Sequence, residues 1–85
     1  MNLLYFAWVK QKIGVSEERV EVPSHVKTVR DLAEFLRTRG RGYAEAFEDL
    51  SRLRAAVNQE HVPFDSPVGA NDEIAFFPPV TGGSS

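Results

Sequence analysis

The chain opens on an almost unbroken apolar and aromatic run, Asn2-Leu3-Leu4-Tyr5-Phe6-Ala7-Trp8-Val9-Lys10. Branched and aromatic residues at this density predict a buried strand over residues 2–10. Strand side chains alternate between faces, so Leu3, Tyr5, Ala7 and Val9 share one side, and Asn2, Leu4, Phe6, Trp8 and Lys10 share the other. The first side is apolar throughout and predicts core. The second is polar at its ends and apolar in the middle, as a surface with a hydrophobic patch would be. After Gly14, Arg19-Val20-Glu21-Val22 resumes the alternation with Val20 and Val22 inward, and Pro23 ends it. A short polar turn between the two segments predicts an antiparallel hairpin.

The period then changes. Val29, Leu32, Ala33 and Leu36 recur at i, i+3, i+4 and i+7, a single apolar stripe that predicts the main helix, with Phe35 widening it. Thr28 and Asp31 form a start signal, the hydroxyl accepting from an early amide and the carboxylate favouring the positive helix end. Arg37 and Arg39 suit the negative end, and Gly40 or Gly42 can supply a left-handed stop. Tyr43, Phe47 and Leu50 predict a second, shorter helical stretch. Arg54-Ala55-Ala56-Val57-Asn58 is the next strand. A tight turn at Asn58-Gln59-Glu60 leads into a short return strand at His61-Val62, and Pro63 and Pro67 keep the next stretch irregular. Gly69-Ala70-Asn71-Asp72 makes another turn. The last strand, Glu73-Ile74-Ala75-Phe76-Phe77, points Ile74 and Phe76 one way and Glu73, Ala75 and Phe77 the other.

One helix across a mixed sheet is an α+β domain. An N-terminal hairpin, a long helix and a returning C-terminal strand predict the β-grasp arrangement, with the first and last strands as central neighbours. Residues 1–78 are expected to form that domain. Residues 79–85 are expected to form a flexible tail, because Pro78-Pro79 stiffens an exit from the sheet and Val80-Thr81-Gly82-Gly83-Ser84-Ser85 is mostly small.

Composition narrows the function classes. Eighty-five residues suffice for one small core. Ten basic against 12 acidic residues give a net charge of −2, without the basic stripe a nucleic-acid binder carries. There are no cysteines, which removes disulfides, thiolate nucleophiles and cysteine-ligated metal, and fits a reducing cytosol. No apolar run approaches the roughly 20 residues that span a bilayer, and the start lacks the charged opening of a signal peptide. The expected location is cytoplasmic, with no membrane partner.

Enzyme constellations are missing from the interior. His25 and His61 stand alone, outside any metal-ligand spacing, and no glycine-rich loop joins a strand to a helix. The acidic pairs Glu17-Glu18 and Glu48-Asp49 are expected on a solvated surface. The tail differs. Two residues without side chains can thread a narrow cleft and deliver a terminal carboxyl to a reactive centre. Extended at about 3.3–3.6 Å per residue, residues 79–83 would reach roughly 17 Å beyond the body. Ordering them costs about 1–2 kcal/mol of backbone freedom each, which a partner surface must offset. The even-numbered side of the first segment, together with Ala75 and Phe77, is the expected source of that docking energy.

Three segments carry a family resemblance: Arg54-Ala55-Ala56-Val57-Asn58-Gln59, Phe64-Asp65-Ser66-Pro67, and Asp72-Glu73-Ile74-Ala75-Phe76-Phe77-Pro78-Pro79-Val80-Thr81-Gly82-Gly83. Together with Leu4-Tyr5-Phe6-Ala7 they closely resemble the small-subunit family of molybdopterin synthase, over nearly the whole chain. The resemblance implies a ubiquitin-like sulfur carrier in molybdenum cofactor biosynthesis. A ubiquitin-activating-like adenylyltransferase uses ATP to adenylate the Gly83 carboxylate, which becomes a thiocarboxylate. The large subunit accepts the tail, Pro78, Pro79, Val80, Thr81 and Gly82 leading in to Gly83, and the sulfur passes to cyclic pyranopterin monophosphate. No bound cofactor or metal is implied. Catalytic side chains belong to the large subunit, and two copies of each subunit form a heterotetramer. Phe6 and Phe77 match hydrophobic positions of the partner-binding surface, His61 falls where a leucine can occur, and Trp8 would extend the patch.

The chain departs from the family pattern after Gly83, where Ser84-Ser85 follows. A thiocarboxylate forms only on a terminal residue. Proteolytic removal, two residues added to the natural chain, or a docking-only form would each account for the extension; the first two are favoured. Rival functions are a sulfur carrier for thiamin or tRNA thiolation, a ubiquitin-like modifier joined to lysines through Gly83, and a passive interaction domain. The Phe76-Phe77-Pro78-Pro79-Val80 segment argues against the first, and isopeptide conjugates would mark the second.

Overall fold

In the computed structural model, which describes residues 1–79, five strands form one mixed sheet. Along the chain run β1 (Asn2–Tyr5), α1 (Ala7–Ile13), β2 (Glu17–Arg19), α2 (Val29–Arg37), α3 (Arg41–Ala46), a 3-10 turn (Leu50–Arg52), β3 (Arg54–Val57), β4 (Glu60–Val62) and β5 (Glu73–Phe77). The sheet order is β2-β1-β5-β3-β4. The two central strands are parallel, pairing Leu3 with Ile74 and Tyr5 with Phe76. The other pairings are antiparallel. This is the expected β-grasp order, with the two most apolar segments at its centre.

α2 forms where its stripe predicts. The Asp31 N–H donates to Thr28 Oγ1 at 3.1 Å, and the Thr28 N–H donates back to Asp31 Oδ2 at 3.3 Å, closing a capping box. Val29, Leu32, Ala33 and Leu36 are all fully buried. They join Leu3, Tyr5, Ile74, Phe76, Phe47 and Leu53 in one core, where the Phe47 and Phe76 rings meet edge to face at 4.9 Å. Fully burying a side chain of this size contributes about 1.5–3 kcal/mol, so this layer supplies most of the drive to fold. The free amides at the start of α2 also tie down the irregular stretch that Pro63 and Pro67 bound. Val29 N–H donates to the Ser66 carbonyl and Arg30 N–H to the Phe64 carbonyl.

The predicted nine-residue first strand is wrong beyond Tyr5. Phe6 is still extended, at φ −127° and ψ 155°, but Ala7 turns to φ 55° and residues 7–13 form α1. The helix ends at Gly14, φ 102°, whose N–H donates to the Lys10 carbonyl at 2.7 Å, with Lys10 and Lys12 in its last turn. Glycine as a left-handed cap and cations at the carbonyl end are helix-stop signals. Here they were masked by the strand-like composition before them. β1 and β2 do pair antiparallel, but through this helix rather than a short turn. β2 covers Glu17–Arg19, starting two residues and ending three residues earlier than expected, so Val20 is buried just beyond it and Val22 is half-buried.

Neither Gly40 nor Gly42 stops α2, whose C-cap is Thr38. Gly42 lies inside α3, where a Cβ would sit 2.2 Å from the Lys12 carbonyl oxygen. Its missing side chain lets α3 close on the end of α1. The β3–β4 turn is as predicted: Asn58 and Gln59 take φ 51° and 74°. Both residues being left-handed is the two-residue hairpin loop whose twist suits the strands. The Asn58 side chain holds the start of β5, accepting from the Glu73 N–H at 3.0 Å and donating to Asp72 Oδ1 at 3.0 Å.

Candidate functional site

Strand alternation divides the sheet into two faces. Leu3, Tyr5, Ile74, Phe76 and Ala55 point into the core, while Leu4, Ala75 and Phe77 stay half-buried and outside it. Register brings the outer side chains into rows. Leu4 pairs with Ala75, Ala75 with Ala56, and Ala56 with His61, giving one apolar row ending in an imidazole. The neighbouring row holds Phe77 beside Arg54, and continuing the parallel register by one residue sets Phe6 next to Phe77. Phe6 is 48% exposed, although its N–H donates to the Phe76 carbonyl at 3.2 Å. The ring adjoins the apolar row and does not stand alone, so Phe6 belongs to one contiguous apolar surface.

His61 and Phe77 meet across this face, ring centroids 5.1 Å apart and tilted by 48°. They flank Ala56, which is only 6% exposed yet lies outside the core cluster. The small residue lets two rings from β4 and β5 close over β3. Ala56 and Arg54 were missed from sequence as face residues. Their parity is informative only once β3 is known to run antiparallel to β5, a pairing between distant segments that no local pattern encodes.

The chain leaves the sheet at the end of this same face. Pro78 and Pro79 come directly after Phe77 and are half-buried. Val80, Thr81, Gly82 and Gly83, the rest of the predicted working end, lie outside the described residues. Trp8 does not extend the patch. It sits on α1, packs against the core, and stacks under the Arg52 guanidinium at 5.3 Å beside a cleft of about 400 Å³. Its apparent place on the outer face came from counting strand parity through a helix.

Among the described residues no group of three or more His, Cys, Asp or Glu could hold a metal ion. A cavity of about 510 Å³ at the opposite end of β1, lined by Met1, Asn2, Arg19–Val22, Ala70 and Asn71, gathers no acid–base pair within bonding distance. A partly buried titratable cluster lies elsewhere. Glu18, expected in solvent, points inward opposite Leu3. Its Oε2 accepts from the Tyr5 hydroxyl at 2.8 Å and the Tyr43 hydroxyl at 2.7 Å, with Arg39 3.9 Å from Oε1. Burial of Tyr5, then its hydrogen bond to Glu18, pushes that phenol far above its ordinary range; the same causes raise Tyr43. The cluster ties the β2 edge and α3 to the core. Asp49, of the other acidic pair, is held below the usual carboxylate range by the Ser51 hydroxyl and N–H it accepts from.

Comparison with known proteins agrees with this geometry. The model of the ThiS family matches residues 3–83. The molybdopterin synthase sulfur carrier subunit of Escherichia coli (strain K12) is 42% identical over 83 residues, covering 98% of this chain and 99% of its own length. That of Haemophilus influenzae is 40% identical over 83 residues, with the same coverage. The crystal structure of SAMP1 from Haloferax volcanii superposes with a TM-score of 0.71 at 28% identity, covering 98% of each chain.

Proposed function

Because the chain belongs to the ThiS family, we propose that it is the sulfur carrier subunit of a molybdopterin synthase. The observation that carries the reading is the apolar outer face formed by Phe6, Leu4, Ala75, Ala56 and Phe77, from whose edge Pro78-Pro79 leads toward Gly82-Gly83. Full-length relatives named as molybdopterin synthase sulfur carrier subunits support it.

The division of labour follows from the chemistry. A carboxylate is a poor electrophile. Attack of the Gly83 carboxylate oxygen on the α-phosphorus of ATP, within an activating enzyme, releases pyrophosphate and leaves an acyl adenylate. A sulfur donor displaces AMP, and the chain then ends in a thiocarboxylate. That requires Gly83 to be the last residue. Inside the large subunit the thiocarboxylate sulfur displaces an oxygen substituent from a side-chain carbon of cyclic pyranopterin monophosphate, and water then cleaves the resulting thioester, leaving the sulfur on the pterin and returning the Gly83 carboxylate. On this reading the carrier body needs no acid or base of its own. It needs a face that offsets the cost of ordering the tail, about 1–2 kcal/mol per residue.

The test is Phe77→Glu, measured for binding to the large subunit by calorimetry. Phe77 is only half-buried and outside the core, so the domain should remain folded while binding is lost. Wild-type affinity in the variant would remove the docking face. In the companion assay, a thiocarboxylated chain ending at Gly83 should convert cyclic pyranopterin monophosphate with the large subunit, and one retaining Ser84-Ser85 should not.

A further inference from the structure

His61 stands at the end of an otherwise apolar row and against the Phe77 ring, in the area that the proposed large subunit must cover. Its own strand offers it no counter-charge, since Glu60 and Val62 alternate to the other face. From β3 the charged group on its side is Arg54, one position beyond Ala56. From β5 it is Glu73, the same distance the other way. Among the described residues no carboxylate forms an ion pair with His61, and Arg54 makes none either; the Arg54 guanidinium donates to the Leu53 carbonyl at 2.9 Å.

Resting on the docking reading above, we infer that His61 is a pH-sensitive specificity determinant of that face: the large subunit covers it with an apolar surface and accepts only the neutral imidazole. Two features favour this over a partner carboxylate. The imidazole continues the row Leu4–Ala75–Ala56 without a break, so what covers the row covers it too. An imidazolium there would also bring a second cation next to Arg54 in a region being dried, where an unpaired charge is costly. The neutral ring keeps its tilted contact with Phe77 and presents one N–H donor and one lone pair, where the imidazolium presents two N–H donors and a charge.

Linkage sets the sign and size. A complex admitting only the neutral ring loses affinity as the pH falls, because a proton on the free protein competes with binding. One competing proton can change the dissociation constant by at most about tenfold per pH unit, and between about pH 7.5 and about pH 5.5 a rise of about tenfold is expected. The experiment measures binding to the molybdopterin synthase large subunit at both pH values for the wild type, His61→Leu and, as a control on the other histidine, His25→Gln. The expected result is about tenfold weakening for the wild type and His25→Gln and a flat ratio for His61→Leu, after which any residual slope belongs to the large subunit. An equal slope in wild type and His61→Leu would overturn the inference, and so would tighter wild-type binding at the lower pH, which would mean a carboxylate faces the ring. Phe77→Glu binding normally at about pH 7.5 would instead overturn the docking reading itself, so the two failures are distinct.

Discussion

Glu18→Ala tests whether the cluster behind the sheet is a lock. The carboxylate serves two phenols through one oxygen, Tyr5 at 2.8 Å and Tyr43 at 2.7 Å, and lies 3.9 Å from Arg39. Tyr5 is 1% exposed, so deleting its acceptor leaves a hydroxyl that water cannot reach easily, at a cost of about 1–3 kcal/mol. Tyr43 is half-buried and can turn its hydroxyl to solvent, so it adds little. The Arg39 pair, with side chains 33% and 19% exposed, adds about 0–1 kcal/mol. The sum is about 1–4 kcal/mol, set against a total of about 4–13 kcal/mol for a domain of this size. Chemical denaturation of wild type, Glu18→Ala, Tyr5→Phe and the double variant gives the cycle. The second change should cost less in the double variant than in the wild type, because the orphaned hydroxyl is gone, with a coupling of about 1 kcal/mol. Docking should not change, since Glu18 faces away from the open sheet. A loss under about 0.5 kcal/mol, or no coupling, would refute the reasoning.

Two further outcomes are expected. Tyr5 and Tyr43 are the only tyrosines, and both are raised in the fold by burial and by their bonds to Glu18. The folded state therefore keeps protons that the unfolded state gives up above about pH 10. The stabilisation is whole below that pH and is lost as pH rises past it. Phenolate absorbance should appear together with loss of helix signal, and early, fully reversible titration of both tyrosines in the folded protein would contradict the geometry. Gly42→Ala should destabilise by about 1–3 kcal/mol in thermal or chemical melts, even though alanine favours helix by about 1 kcal/mol, because the new methyl meets the Lys12 carbonyl oxygen at 2.2 Å. A stabilised variant would mean that α1 and α3 separate freely.

Much of the fold is legible because its signals are local. The α2 stripe and its Thr28–Asp31 box, the Asn58-Gln59 turn, and the inward Ile74 and Phe76 all depend on residues within a few positions of one another. The failure at residues 6–13 is equally instructive. Trp8 and Val9 are strand formers by propensity, and Ala7 turns the chain into a helix because Val9 can then enter the core while Gly14 and the lysines close the end. Propensity lost to packing there, as it often does in short apolar runs.

The candidate site divides the same way. Sequence alone determined that Phe6 and Phe77 lie on the side away from the core, together with the Pro-Pro exit and the Gly-Gly motif, because composition and parity are properties of neighbours along the chain. Only the tertiary structure decided that His61 meets Phe77 over Ala56, that Arg54 borders them, that Trp8 is elsewhere, and that Glu18 is an internal latch. Those facts depend on strand register and on helix approach between residues far apart in sequence. Strand register follows from the whole core packing at once, since a one-residue slip would turn every outer side chain of a strand inward.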